Sequence, residues 1–225
     1  EVPTTALPNP DDVTRVFDDL RAKGIRDAVF VMMSAGLSGT MNMVRLMCEQ
    51  HREVRSLVYD SRILSMGLGY MVMSAIDLVR QGVKLDAMHG QLERLREKVD
   101  GFFYLPTLEY LARGGRIGLV AGTVGKLLNI RPIIGVNHEG RYYTRAAVIG
   151  AKKVVRQVLK ITSDFVGDRR FDLTVMSGNA MGEAQALLDE LKKLPGVLTT
   201  QICRLGPALA VHTGPGMLAV LVRAH

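Results

Sequence analysis

The sequence predicts an α/β protein whose first half is rich in parallel sheet and whose second half has mixed or antiparallel strand pairing. Three observations support this class. Of the 225 residues, 48% are apolar, which is ample material for a buried core. Short apolar runs of strand length alternate with amphipathic helical stretches along the chain. A hairpin pattern is confined to the second half.

The first half alternates helices with strands. Residues 11–23 place apolar side chains at helical spacing behind two aspartates, so they predict a helix that stops at Gly24. The run 28–33 is apolar at every position, as expected of a strand inside a sheet covered on both faces. The other elements predicted in this half are helix 40–51, strand 56–59, helix 66–80 and helix 85–99.

The second half is less regular. Residues 130–136 and 141–147 predict a hairpin around the turn Asn137-His138-Glu139-Gly140. We expect residues 1–115 to form a first lobe and residues 116–225 a second lobe with more antiparallel sheet. The other elements predicted here are helices 107–112, 119–128, 151–166 and 181–193, and strands 171–176, 198–204 and 217–222.

Cysteine, histidine and hydropathy patterns argue against several classes. Cys48 and Cys203 lie far apart, which disfavours a disulfide scaffold or a cysteine-based zinc site and favours a reducing, cytoplasmic setting. The five histidines show no metal-ligand spacing, so we expect neither a metal nor another cofactor. No apolar run reaches the roughly 20 residues of a membrane span, and Glu1-Val2-Pro3 does not open a signal peptide.

The positive charge of the chain is concentrated in one stretch. Between Arg113 and Lys160 there are ten basic residues and a single acid, Glu139, so this stretch carries +9 and the rest of the chain −2. Such a stretch could attract an anionic protein, a phosphorylated ligand or a membrane surface. A solvated surface with basic side chains facing several directions explains it equally well. Without stacking aromatics or a DNA-binding motif, nucleic acid is not expected as a partner.

The loop that precedes helix 40–51 has the composition of an anion site. Gly36 and Gly39 permit close backbone approach, and Ser38 and Thr40 supply hydroxyl groups. A helix N-terminus adds unpaired N–H groups and a partial positive charge, so a carboxylate could be held there. The alternative is that Ser38 or Thr40 only caps its own helix.

A second glycine-rich turn, His212-Thr213-Gly214-Pro215-Gly216, precedes the last strand. Its histidine could donate to a polar ligand, although a lone histidine near a turn is more often structural. If His212 acted as a base toward Ser38, the chain would be an acyl- or phosphoryl-transfer enzyme. Arg116, which follows two glycines, either contacts an anion or lies in solvent.

Eight short motifs, taken in order, resemble those of the DegV family of bacterial fatty-acid-binding proteins. They are spread over nearly the whole chain, and the ordered set is more specific than any single motif. The motifs are Thr5-Ala6-Leu7-Pro8, Gly36-Leu37-Ser38-Gly39-Thr40, Tyr59-Asp60-Ser61, Gly67-Leu68-Gly69, Thr107-Leu108-Glu109-Tyr110-Leu111, Gly114-Gly115-Arg116-Ile117, Leu128-Asn129-Ile130-Arg131-Pro132 and His212-Thr213-Gly214-Pro215-Gly216.

The resemblance implies a two-lobed α/β fold that encloses one long-chain fatty acid between its lobes. It implies that Thr5 and Ser38 hold the carboxylate of that acid. It also implies a non-catalytic chain that presents the acid to the catalytic subunit of a separate fatty-acid kinase for acyl-phosphate formation. The basic stretch could dock that kinase or make transient contact with an anionic membrane. The supporting residues that match family positions are Gly39, Thr40, Arg116 and His212.

This chain departs from the family pattern in three respects. The segment Thr5-Ala6-Leu7-Pro8-Asn9 lacks a second hydroxyl that the family has there, and Ile149-Gly150 stands where an Arg-Gly pair is common. Family members begin with a further strand and helix, which we expect the first lobe of this chain to lack. A lipid-independent regulatory protein that acts through the basic stretch is a third functional hypothesis, and it predicts salt-sensitive partner binding.

Overall fold

The chain forms two compact units in a computed structural model that describes residues 3–123 and 130–225. The N-terminal unit comprises Ala6–Glu97, and the C-terminal unit comprises residues 3–5 together with Lys98–His225. This division differs from the boundary expected between residues 115 and 116. The reason is that the strand Val99–Tyr104 pairs with strands of the second half of the chain.

The N-terminal unit contains helices and a small parallel sheet. Its elements are α1 (Pro10–Ala22), β1 (Asp27–Met32), α2 (Thr40–Gln50), β2 (Arg55–Asp60), α3 (Ser65–Arg80) and α4 (Leu85–Arg96). β1 and β2 pair in parallel, in a register that places Asp27 opposite Arg55, and α2 is the crossover between them. Buried Phe17, Met47 and Val54 form a core where α1 and α2 meet β1.

The C-terminal unit is built on a six-stranded sheet. Its elements are β3 (Val99–Tyr104), α5 (Glu109–Arg113), a 3₁₀ helix (Gly118–Thr123), β4 (Ile130–Val136), β5 (Tyr142–Ile149), α6 (Ala151–Val166), β6 (Phe171–Ser177), α7 (Met181–Leu191), β7 (Val197–Arg204), α8 (Pro207–Thr213) and β8 (Leu218–Ala224). The strand order is β5-β4-β3-β8-β6-β7. Only the β6–β7 pair is parallel; the other neighbours are antiparallel.

The core of the C-terminal unit lies between this sheet and two helices. β6 is buried along its whole length, as expected of a strand inside a sheet. α6 contributes Val154, Val158 and Ile161 at helical spacing, and α7 contributes Leu187 and Leu191.

The predicted α/β class is confirmed, with a parallel first sheet and a mixed second sheet. Two elements were missed, β3 and α8. Asp100 and Gly101 interrupt the apolar pattern of β3, and the strand tolerates Asp100 because Arg145 forms an ion pair with it. The predicted helix 85–99 ends at Arg96. Of the predicted helix 119–128, residues 119–123 belong to the 3₁₀ helix and the remainder lies outside the described residues.

Candidate functional site

Thr5 and His212 form a hydrogen-bonded pair within the C-terminal unit. Thr5 Oγ1 lies 2.8 Å from His212 Nε2, although the residues are 207 positions apart in the sequence. His212 belongs to the last turn of α8. That helix begins at Pro207, whose fixed φ suits a first helical position, and it stops at Gly214, which has a φ of +69°. A short helix therefore holds the imidazole against the N-terminal segment.

The surroundings of His212 favour its neutral form. Burial lowers the pKa of His212, and the nearby Arg116 cation lowers it further. Nδ1 is buried and has no hydrogen-bond partner within the described part of the chain. In the tautomer protonated at Nε2, the ring donates to Thr5 Oγ1, which leaves the Thr5 O–H group available to another acceptor. The pair can therefore offer a hydroxyl donor to an anion.

Two glycines let α5 and α8 pack closely around this pair. A Cβ atom on Gly114, which directly follows α5, would overlap Nδ1 of His212. A Cβ atom on Gly214 would overlap the ring of Tyr110. Gly114 has a φ of −76°, which any residue can adopt. Glycine is therefore needed at this position for the space that its lack of a side chain leaves to His212, and not for backbone flexibility.

A cavity of about 190 Å³ lies beside the Thr5–His212 pair. Arg113 and Arg116 are among the residues that line it. Arg113 is ion-paired with Glu109 one helical turn away, whereas Nη1 of Arg116 donates to the Gly114 carbonyl at 2.6 Å. The lining contains no acid among the described residues, and the charge of Arg116 beside a neutral imidazole suits the cavity to an anion. The lining residues are Pro3, Thr4, Thr5, Tyr110, Arg113, Gly114, Arg116, Val211 and His212.

The second candidate region is the loop before α2 in the N-terminal unit, and Asp60 shapes it. The Asp60 carboxylate accepts the Arg62 N–H at 2.9 Å and the Ala35 N–H at 3.3 Å. Buried Ser34 accepts the N–H of Ser38 through its carbonyl oxygen at 3.2 Å. Backbone donors of the loop are thus satisfied from within the unit, which fixes the position of Ser38.

Ser38 and Thr40 form a hydroxyl pair at the start of α2. Ser38 Oγ lies 2.9 Å from Thr40 Oγ1 and accepts the Thr40 N–H at 3.3 Å. Gly39, the N-cap residue, has no side chain to do this, so Ser38 supplies a cap from one position earlier. Since one hydroxyl donates to the other, one O–H of the pair remains available to an anion. Capping and anion binding are therefore compatible here.

The predicted site residues fall into two groups. Thr5, Arg116 and His212 belong to the C-terminal unit, and the segment 38–40 belongs to the N-terminal unit. The structure joins Thr5 to His212, a pairing that the sequence did not indicate. That Thr5 and Ser38 hold one carboxylate stays a prediction.

Sequence reasoning missed three contributors to these regions. Arg113 lines the cavity, Gly114 makes room for His212, and Asp60 orders the loop of Ser38. Gly114 and Asp60 lie inside motifs that resemble those of the family. The resemblance therefore pointed to both residues, but the spacing of residues along the chain did not show what either of them does. Within the described ranges no cluster of three or more metal-ligating side chains occurs, and no helix there is both long and apolar enough to cross a membrane.

Comparison with known proteins gives the same family at three levels. The family model for DegV, a family of uncharacterised proteins, matches residues 1–225. A DegV domain-containing protein of Clostridium perfringens is 38% identical over 223 residues, which cover 99% of this chain and 79% of the relative. The solved structure of a Thermus thermophilus DegV family protein, described by its fatty-acid binding, is 32% identical with a TM-score of 0.91, covering 99% of this chain and 79% of that one.

A more distant solved structure shows the same fold. It is a fatty-acid-binding DegV family protein of Streptococcus agalactiae, which has 24% identity and a TM-score of 0.90. The match covers 100% of this chain and 80% of that chain.

Proposed function

This chain belongs to the DegV family, and from that premise we propose that it binds a long-chain fatty acid and presents the carboxylate to a separate fatty-acid kinase. The Thermus thermophilus relative, at 32% identity, is described as binding fatty acid. The observation that carries the proposal is the hydrogen bond between Thr5 and His212 at the edge of a cavity that also contains two arginines.

This constellation suits a carboxylate. An ionised carboxylate only accepts hydrogen bonds. When the proton of the neutral His212 ring is on Nε2, the ring donates to Thr5 Oγ1 and the Thr5 O–H can donate to the carboxylate. Arg116 supplies positive charge, which favours the ionised acid over its protonated form, whereas Glu109 offsets the charge of Arg113. We assign Thr5 as the direct carboxylate ligand in the C-terminal unit and His212 as the residue that positions it.

We assign Ser38 as the carboxylate ligand of the N-terminal unit, supported by Gly39 and Thr40. The support is the spare O–H of the Ser38–Thr40 pair, which sits at the N-terminus of an 11-residue helix where N–H groups favour anions. Binding of the acyl tail would add roughly 0.8 kcal/mol for each CH₂ group removed from water. The tail therefore supplies affinity, and the head-group residues select the acid.

We propose that the kinase performs the phosphoryl transfer in the cytoplasm and that this chain is not catalytic. The enzyme alternative assigns Ser38 as a nucleophile and His212 as its base. In the structure the hydroxyl partner of His212 is Thr5, and the partner of Ser38 is Thr40, so binding is the better supported function.

The basic stretch supports an anionic partner. Arg113, Arg145 and Lys160 are ion-paired with acids. Exposed Arg131, Lys153 and Arg156 have no ion pair with the described residues, so we place kinase docking and any transient contact with an anionic membrane on these side chains. We expect kinase binding to weaken as salt rises.

Mass spectrometry of organic extracts from the natively purified protein tests fatty-acid binding directly. We expect one acyl chain per protein molecule. A protein that yields no stoichiometric acid and binds none when fatty acid is added would contradict the proposal.

A double-mutant cycle tests the head-group assignment. Thr5→Val and Ser38→Ala should each weaken fatty-acid binding about tenfold, as for a hydrogen bond to a charged group. If both hydroxyls hold one carboxylate, their effects should be coupled. Thr14→Val, a half-buried threonine on α1, is the control and should leave affinity unchanged. Additive effects would separate the two residues into independent roles.

Presentation to the kinase requires its own assay. With a fatty-acid kinase catalytic subunit and ATP, we expect acyl-phosphate to form only when this chain is present. Tight fatty-acid binding without acyl-phosphate formation would overturn presentation and leave the binding function standing.

A further inference from the structure

The edge of β2 that faces away from β1 is unpaired within the described residues of the N-terminal unit. β2 pairs with β1 along one edge, and no other strand in the described ranges pairs with it. Backbone N–H and C=O groups of alternate residues in a strand point to opposite edges, so half of them on β2 point away from β1. Charged residues stand only at the two ends of β2, Arg55 and Asp60, and the strand contains no proline. Nothing in its sequence blocks pairing with another strand.

A groove of about 440 Å³ runs between this strand and α2. The register places Ser56 and Val58 on the same face of the sheet as Ala28 and Phe30, which pack against the core beneath α1 and α2. One wall of the groove therefore comes from β2 and the other from the outer flank of α2. The lining residues are Arg45, Cys48, Glu49, Arg52, Val54, Arg55, Ser56 and Val58.

The groove has an excess of positive charge. Its lining contains three arginines and one acid, Glu49. Arg55 is already neutralised, because it forms a two-point ion pair with Asp27 and lies 3.5 Å from Asp86.

The other two arginines are available. Arg45 has no hydrogen bond or ion pair with the residues that the structure describes. Arg52 uses its Nε atom to donate to the Glu49 carbonyl at 3.0 Å and forms no ion pair with them. Two guanidinium groups thus remain to face a partner.

We propose that this groove binds an extended acidic segment of a partner protein, which adds to the open edge of β2 as a further strand. Extended peptides bind in this way between a sheet edge and a neighbouring helix, with main-chain hydrogen bonds for affinity and side-chain contacts for specificity. Alternate side chains of the added segment would point toward α2. Glutamate or aspartate at those positions would meet Arg45 and Arg52.

An extended peptide fits the groove better than a free anion does. An inorganic anion would use the two guanidinium groups but none of the outward backbone groups of β2. The lining of the groove also contains the apolar residues Val54 and Val58, which could contact the aliphatic side chains of an added strand. The proposal is independent of fatty-acid binding, since none of these residues lies in the head-group regions.

The test uses a capped peptide of alternating valine and glutamate, six residues long to match β2. The matched probe replaces every glutamate with lysine. We expect the acidic peptide to slow hydrogen exchange of backbone amides in β2 but not in β7, the edge strand of the C-terminal unit. Equal binding of both peptides, protection outside β2 or no binding at all would overturn the proposal.

Variants of the two arginines complete the test. Arg45→Gln and Arg52→Gln should each weaken binding of the acidic peptide about two- to fivefold, the range expected of a solvent-exposed ion pair. Arg15→Gln, which removes an exposed arginine from α1 in the same unit, should leave it unchanged. If inorganic phosphate displaces the peptide and the peptide protects no strand amide, the groove is an anion site and the proposal fails.

Discussion

The two head-group regions are assembled in opposite ways. The Thr5–His212 contact joins residues 207 positions apart, whereas the Ser38–Thr40 contact joins residues two positions apart. The first depends on close packing of α5 against α8, and the second depends on a loop that closes on itself at the start of α2. Both present a hydroxyl donor, but only the first requires tertiary structure for its hydroxyl partner.

This difference has consequences for how each region tolerates change. A pair that bridges distant segments is sensitive to any side chain that separates them. A local pair is sensitive to the backbone that shapes its loop. Substitutions in each region should therefore differ in the size of their effects.

The largest effect is expected from Gly114→Ala. The new Cβ would overlap His212 Nδ1, so either the ring or the backbone after α5 must move. We expect a loss of about 2–3 kcal/mol in the free energy of unfolding, typical of overpacking, and weaker fatty-acid binding. Chemical denaturation and a binding titration measure the two effects.

Gly182→Ala is the matched control in the same unit. Gly182 lies in α7, and no neighbouring atom lies within 4 Å of the position that a Cβ would take there. Alanine should therefore stabilise the helix by about 0.5–1 kcal/mol. If Gly114→Ala were as stable as the unaltered protein, the packing argument for His212 would be wrong.

Asp60→Ala tests the local region and should have the next largest effect. It removes the acceptor of the Ala35 and Arg62 N–H groups, so we expect a loss of about 1–2 kcal/mol of stability. Fatty-acid affinity should fall because Ser38 is no longer held in place. Asp18→Ala, an exposed aspartate on α1, serves as the control. Unchanged affinity in a destabilised Asp60→Ala protein would show that the loop does not position the ligand.

A smaller effect is expected from the titration of His212. Because burial and Arg116 lower the pKa of His212 in the folded chain, the unfolded chain binds its proton first as pH falls below the ordinary value of about 6.5. Stability should therefore decrease with falling pH through that value, until the folded-state pKa is passed. His212→Gln should remove this part of the pH dependence in denaturation curves. An identical pH profile for the variant would contradict the assignment.

The smallest effect is expected from Gly39→Ala. Its Cβ would lie 3.3 Å from Cδ2 of Leu7, an exposed side chain that can move aside. Gly39 has a φ of −72°, so the backbone accepts alanine, and stability should change by no more than about 0.5 kcal/mol. A thermal melt compares it with Gly114→Ala, and equal destabilisation of the two variants would abolish the contrast between the regions.

Much of the fold could be predicted from hydrophobic patterning. α1, β1, α6 and β6 have clear apolar periods, so helical or strand spacing identifies them. β3 was missed because Asp100 and Gly101 resemble a break, and its pairing partners lie far along the chain. α8 has only seven residues between Gly206 and Gly214, too few for a helical period to stand out from a turn.

The sequence by itself determined the α/β class, the family motifs and the supply of glycines and hydroxyl groups around Ser38, because each of these is a pattern of residues close together in the chain. Tertiary structure alone decided that the hydroxyl partner of His212 is Thr5, that Gly114 leaves space for its ring, and that Asp60 orders the second loop. Each of these features depends on a contact between segments that are distant in the sequence and meet only in the folded chain. The spacing of residues along the chain does not predict such contacts.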